Sequence, residues 1–320
     1  MAPIVELSNV HKRFGDHIAV ENVSMQVEPG QVYGFLGPNG AGKTTSIRIM
    51  LGIIDPDRGT RQILGAQSAL SVSHRVGYLP EERGLYKNMS AQNVIAYLGQ
   101  LKGMDGVSAK RRAGELLERY GLADAAKKRV KQLSKGMAQK VQVLSTMVHD
   151  PDLLVLDEPF SGLDPVNQQV LEDLLADMKQ AGKTIIFSTH VMQHAERLCD
   201  RIGLVAHGRD VFNGTVGEAK RLLAPRILLR TKDDIVALHE LEAVRGVTRI
   251  SEENGVMEWE IVTQGRVSTE ELVGRCMEHR IEIAHFSMIE PSLHEVFVHL
   301  VGGEKAVDGQ NVSKERGDAK

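Results

Sequence analysis

Three groups of residues have types and spacings that could handle a phosphorylated ligand. The first is Gly37-Pro38-Asn39-Gly40-Ala41-Gly42-Lys43-Thr44, followed by Thr45. Its glycines let the backbone curl so that successive N–H groups face anionic oxygens. The spacing G-x-x-x-x-G-K-[ST] is that of a phosphate-binding loop, in which Lys43 reaches the β- and γ-phosphates and Thr44 ligates Mg2+. The second group is Asp157-Glu158, which ends the apolar run 153–156. Asp157 is placed to hold the Mg2+, and Glu158 to polarise an attacking water as a general base. The third is His190, just beyond the apolar run 184–188, where it could sense a γ-phosphate by hydrogen bonding.

Such side chains need elements to hold them. Residues 32–36 form a continuous apolar run before the glycine loop, and a helix is predicted from Lys43 to about Leu51. Strand, loop and helix in that order are the context a phosphate loop requires. Strands are also predicted at 4–7 and around Val23, Met25 and Val27, which alternate with polar residues. Residues 91–102, 108–120 and 135–149 read as helices, with Gly121 ending the second. Strands return at 153–156, 184–188 and 201–206, and the helix between the first two starts at Asp164 with Pro165 in its first position. Strands alternating with helices predict a parallel sheet, and ligands bind at the carboxyl edge of such a sheet.

Past residue 225 the pattern changes. It reads strand 226–230, helix 233–244, strands 247–250 and 256–262, helix 269–279 and strand 281–287. That order is the β-α-β-β-α-β arrangement of a ferredoxin-like domain. Ser292 with Glu295 is a capping box for a last helix. Residues 302–320 are polar and aperiodic, and a disordered tail is expected there.

Bulk composition excludes several classes. The 320 residues carry a net charge of −3, so no global field draws the chain to nucleic acid or to an anionic membrane. Aromatics are only 4%, too few for a stacking platform. Cys199 and Cys276 lack metal-ligand spacing and read as buried thiols. No stretch approaches the roughly 20 apolar residues of a membrane span, and no leader segment is evident. A membrane role would need another chain to supply the span.

In type and order these motifs resemble the nucleotide-binding subunits of ABC transporters, over about residues 4–222. The signature is Leu133-Ser134-Lys135-Gly136-Met137, and the D-loop is Ser161-Gly162-Leu163-Asp164. Phe14 stands where that family places an aromatic on adenine. The resemblance implies an α/β P-loop NTPase fold over residues 1–224: a mixed-sheet core with a helical subdomain at about 89–150. A small C-terminal α+β ferredoxin-like domain at 225–301 would follow. It implies ATP and Mg2+ as ligands, ATP hydrolysis coupled to transport, and a place on the cytoplasmic face of the cell membrane. It further implies a head-to-tail dimer with a second ATP-binding subunit, most simply another copy, in which Ser134 and Gly136 of one chain face residues 37–45 of the other. A separate transmembrane permease is expected, and no nucleic acid.

Two departures stand out. Lys135 and Met137 replace the usual Gly and Gln of the signature. Glu81, after Gly77-Tyr78-Leu79-Pro80, stands where a Gln usually contacts Mg2+ and the membrane partner. Residues 77–86, the Leu-Ser-Lys-Gly-Met signature and residues 290–297 resemble the ATPase subunits of ABC-2-type exporters, including those for sodium efflux. The transported substrate does not follow. The alternative is a soluble ABC ATPase acting on ribosomes or nucleic acid; a single set of motifs and the lack of a basic stripe weigh against it.

Overall fold

A computed structural model describes residues 2–82, 84–235, 238, 244–263 and 269–302. The tail expected at 302–320, apart from residue 302, lies outside them, as does most of the helix expected at 233–244. The chain divides into two compact units, Met1–Val216 and Gly217–Lys320.

The first unit opens with β1 (Val5–Phe14), β2 (His17–Val27), β3 (Val32–Leu36), α1 (Lys43–Met50) and β4 (Arg58–Ile63). Strands β2, β1 and β4 form an antiparallel sheet in that order. There follow β5 (Val76–Leu79), the helices α2 (Ala91–Leu101), α3 (Gly106–Arg119) and α4 (Lys135–Met147), then β6 (Leu153–Asp157) and α5 (Pro165–Gln180). The unit closes with β7 (Thr184–Thr189), α6 (Met192–Leu198), β8 (Arg201–Ala206) and β9 (Arg209–Thr215). The second sheet runs β5-β6-β7-β3-β8-β9, parallel as far as β8, with β9 antiparallel at the edge.

Burial explains the apolar runs. Every residue of β3, β6 and β7 is buried, as expected for parallel strands covered on both faces. Because successive side chains alternate, Leu154, Leu156, Ile185 and Phe187 enter one core with α2 to α5. Leu153, Val155, Ile186, Tyr33 and Phe35 enter the other, with α1, β1 and β2. Side chains cap the helices on the first side: Ser90 on α2, Asp105 on α3, Ser134 on α4 and Asp164 on α5. Helix α1 differs, since Gly42 caps it and offers no side chain to its N–H groups.

The second unit takes in the short helix α7 (Val216–Lys220) from its second residue onward, then β10 (Arg226–Thr231), β11 (Val244–Glu253), β12 (Val256–Thr263), α8 (Thr269–Glu278) and β13 (Ile283–Ile289). All pairings are antiparallel in the order β11-β12-β10-β13, which is the strand order of a ferredoxin-like unit. Ile227, Leu229, Trp259 and Ile261 form its core with Leu272 and Cys276. Trp259 buries its indole and donates Nε1–H to Thr231 Oγ1 at 3.0 Å. Residues 293–302 are helical, and Ser292 and Glu295 exchange the bonds of a capping box.

Candidate functional site

The sheet order brings three strand ends together. Strands β6, β7 and β3 are neighbours, with Asp157 opposite Ser188 and Leu36 opposite Thr189. The residues that follow each strand therefore meet at one carboxyl edge.

The loop after β3 leaves no room for side chains at two points. A Cβ at Gly37 would lie 2.2 Å from the Val205 carbonyl oxygen. Gly42 has φ +97°, and a Cβ there would lie 2.4 Å from the Ala19 carbonyl oxygen. Only glycine fits either place. Lys43 folds back over the loop: its Nζ donates to the carbonyls of Gly37 (2.8 Å) and Pro38 (3.1 Å). It also stands 3.2 Å from Glu158 Oε1, and both side chains are buried. That oxygen has no hydrogen-bond partner, so Lys43 meets it as a charge alone.

Ser188 organises the two acids. Its hydroxyl donates to Asp157 Oδ1 at 2.5 Å and accepts the Glu158 N–H at 3.0 Å. Glu158 has φ +48°, a left-handed conformation that costs a non-glycine residue about 1–3 kcal/mol. Its Oε2 accepts a hydrogen bond from His190 Nδ1 at 3.0 Å. His190 is half exposed, and Nε2 is the ring nitrogen left for another acceptor or donor.

Asp157 Oδ2 is buried and lacks a partner. A buried carboxylate oxygen left over in this way fits a water-linked or direct bond to a cation. Thr44 and Glu81 line the cleft that Glu158 also lines, and with Asp157 they would offer only hard oxygen, which suits Mg2+.

A cleft of about 490 Å3 runs along the loop. Its walls include Phe14, Asn39, Gly40, Ala41, Gly42, Lys43, Thr44, Thr45, Glu81 and Glu158. Phe14 ends β1 and is 47% exposed, with Lys12 Nζ 5.5 Å from its ring centroid. The sequence reading missed three residues here. His17 and Ala19 line the cleft from β2, where nothing in their types marks them. Ser188 was detectable as the one hydroxyl facing Asp157 in an apolar strand that leads to His190. A larger hollow, about 640 Å3, lies on the sheet of the second unit near Arg230, Glu258 and His285, and contains none of these residues.

Ser134 and Gly136 do not line the cleft. Ser134 caps α4 by accepting the Met137 N–H at 3.2 Å. A Cβ on Gly136 would lie 2.5 Å from Asn167 Nδ2, which itself bonds to Asp164 Oδ2 at 2.7 Å. The signature is thus packed against the first turn of α5, which Asp164 of the D-loop caps, within one chain.

Residues 20–161 match the ABC transporter family, and residues 214–301 match the C-terminal domain of DrrA1-3-like ATP-binding proteins. An uncharacterised ABC transporter ATP-binding protein of Bacillus subtilis, YhaQ, is 36% identical over 93% of this chain and 99% of its own. The daunorubicin/doxorubicin resistance ATP-binding protein DrrA of Streptomyces peucetius is 32% identical over 93% and 92%. The linearmycin resistance ATP-binding protein LnrL of Bacillus subtilis is 30% identical over 93% and 98%. A solved ATP-binding subunit of an ABC transporter superposes with a TM-score of 0.62 at 29% identity, covering 68% of this chain and 92% of that one. With relatives that share more than 30% identity along nearly its whole length, the chain belongs to the ATP-binding proteins of ABC transporters and is an ATPase of that family.

Proposed function

We propose that the chain energises a membrane exporter of the ABC-2 type by binding and hydrolysing ATP at the cleft beside residues 37–45. The observation that carries this is the convergence of Lys43, Glu158 and His190 within contact distance at the end of one parallel sheet. In this reading the loop N–H groups and the uncapped start of α1 hold the β- and γ-phosphates. Lys43 exchanges its carbonyl and carboxylate contacts for phosphate oxygens, which are stronger partners for a cation. Glu158 is then released to take a proton from water, and His190 bonds the γ-phosphate through Nε2. Thr44, Asp157 and Glu81 would hold Mg2+, whose charge stabilises the phosphate oxygens. Phe14 would stack on the base.

Two supports come from outside the cleft. The relatives that match along almost the whole chain include proteins named for resistance to daunorubicin, doxorubicin and linearmycin, which favours export over import. Among the described residues no helix is long and apolar enough to cross a membrane. In this reading a separate permease supplies the membrane span. An apolar groove of about 250 Å3 beside residues 77–80, lined by Leu79, Leu85, Leu98 and Leu101, is a fitting seat for it. Ser134 and Gly136 complete the site from a second copy, whose α4 start meets the γ-phosphate.

Replacing Glu158 with Gln tests the reading. The variant should bind ATP as the wild type does, dimerise more persistently and lose at least about a hundredfold in turnover. Undiminished hydrolysis by the purified variant would remove Glu158 as the base.

A further inference from the structure

We infer that His194 is a positioning residue for hydrolysis, acting through the ring of Phe160; this rests on Glu158 and His190 being the pair proposed above. Glu158 opens a tight turn, in which its carbonyl accepts the Ser161 N–H at 3.1 Å and that of Phe160 accepts the Leu163 N–H at 3.2 Å. A strained φ such as that of Glu158 persists only where the surroundings over-determine it.

Three contacts do so. Ser188 accepts the Glu158 N–H, and Gln139 of α4 donates to the Pro159 carbonyl at 2.8 Å. The third is aromatic. The buried Phe160 ring stacks on His194 with centroids 4.0 Å apart and planes 12° apart, and meets Phe187 edge-on at 5.8 Å.

His194 is held from behind. Its Nδ1–H donates to Glu172 Oε1 on α5 at 2.9 Å, and Arg197 Nη2 donates to the same oxygen at 2.6 Å. Both His194 and Glu172 are buried, and neither lines the nucleotide cleft. A buried ionisable pair is a weak source of stability compared with apolar side chains of the same volume. What this one does is fix the plane of a ring.

The consequence lies in the spacing. His190 meets Glu158 Oε2, and His194, four residues on, meets Phe160, two residues past Glu158. Two contacts along the same pair of segments set both the separation and the rotation of His190 relative to the carboxylate. A misplacement of about 1 Å at a reacting group lowers turnover up to about a hundredfold, and neither Phe160 nor His194 lines the cleft where the nucleotide would bind. Loss of His194 should therefore appear in kcat and spare KM.

The test is ATP turnover by the purified full-length chain across ATP concentrations. His194→Ala is expected to lower kcat at least about tenfold with KM for ATP within about twofold of wild type. His194→Phe keeps a ring against Phe160 and is expected to stay within about threefold of wild-type kcat. Three results overturn the proposal: a His194→Ala kcat within about twofold of wild type, a His194→Phe protein as slow as His194→Ala, or a fall in kcat matched by an equal rise in KM. If His194→Ala does not fold, Phe160→Leu against Phe160→Tyr decides on the same criteria. Glu158→Gln keeps the two readings apart. Hydrolysis that survives it sinks the catalytic pair, whereas hydrolysis abolished by it but intact in His194→Ala sinks the positioning role alone.

Discussion

Asp157 and Glu158 are adjacent, yet their surroundings set them to different work. Asp157 ends a buried strand with one oxygen tied to Ser188 and the other without a partner, as a metal ligand would need. Glu158 leaves the strand through a left-handed turn that carries its carboxylate to Lys43 and His190. Ser188 makes the distinction possible because one hydroxyl serves both residues. Ser188→Ala would leave a buried carboxylate oxygen and a buried N–H without partners, a loss of about 1–3 kcal/mol for each. Thermal unfolding should shift down by several degrees and turnover should fall with it, while Ser188→Thr keeps both. An unchanged Tm in the alanine variant would show that the hydroxyl is not what holds the acids.

At the scale of elements, the join between α4 and β5 contains a group sensitive to pH. His149 follows α4, and its Nε2 lies 3.2 Å from the Val76 carbonyl oxygen at the start of β5. Burial, and then the nearby Lys102 ammonium, push its pKa down to about 4. A histidine with a folded pKa below its ordinary 6.5 contributes stability that is present above pH 6.5 and lost as pH falls through about 4. The shift sets an upper bound near 3 kcal/mol, and partial exposure reduces this to about 1–2 kcal/mol. The Tm advantage of wild type over His149→Gln should therefore shrink as pH falls from 7 to about 4.5. A difference that stays constant across that range would exclude the histidine as the titrating group.

The elements also explain what can be read from sequence alone. Strands β3, β6 and β7 are legible because a strand buried on both faces must be apolar throughout. The phosphate loop is legible because only glycine tolerates the contacts at Gly37 and Gly42. Strand β4 is hidden because most of its residues are polar and exposed, and β5 because Gly77 and Pro80 resemble a turn. Gly77 is in fact a packing residue, since a Cβ there would lie 2.3 Å from the Thr146 carbonyl oxygen. Strand β1 runs on to Phe14 through several register shifts, which break the alternation a reader relies on. The contact between Phe160 and His194 joins positions far apart in the chain, and no local pattern announces it.

For the whole molecule, what matters is that the phosphate loop lines the cleft and the signature does not. Residues 39–45 line the cleft, while Ser134 and Gly136 lie outside it, packed toward Asn167 and α5. In the function proposed above, a nucleotide in the cleft of one chain would be enclosed by the α4 start of a second copy. This can be tested with two chains that are each inactive. Lys43→Ala keeps its signature but loses its phosphate loop; Ser134→Arg keeps the loop but places bulk and charge at the signature. Homodimers of either contain no intact site. A mixed dimer pairs the Lys43 loop of one chain with the Ser134 signature of the other and so contains one. With equal amounts and free exchange, half of the dimers are mixed, each with one of two sites working, so turnover should recover to about a quarter of wild type. Recovery should rise with total protein concentration, because exchange requires association. Mixtures that stay inactive at every concentration would show either that both intact sites must fire together or that the halves are not shared between chains. Crosslinking the mixed dimer separates these: a trapped dimer without turnover indicates obligate coupling of two sites, and no ATP-dependent dimer removes the shared site.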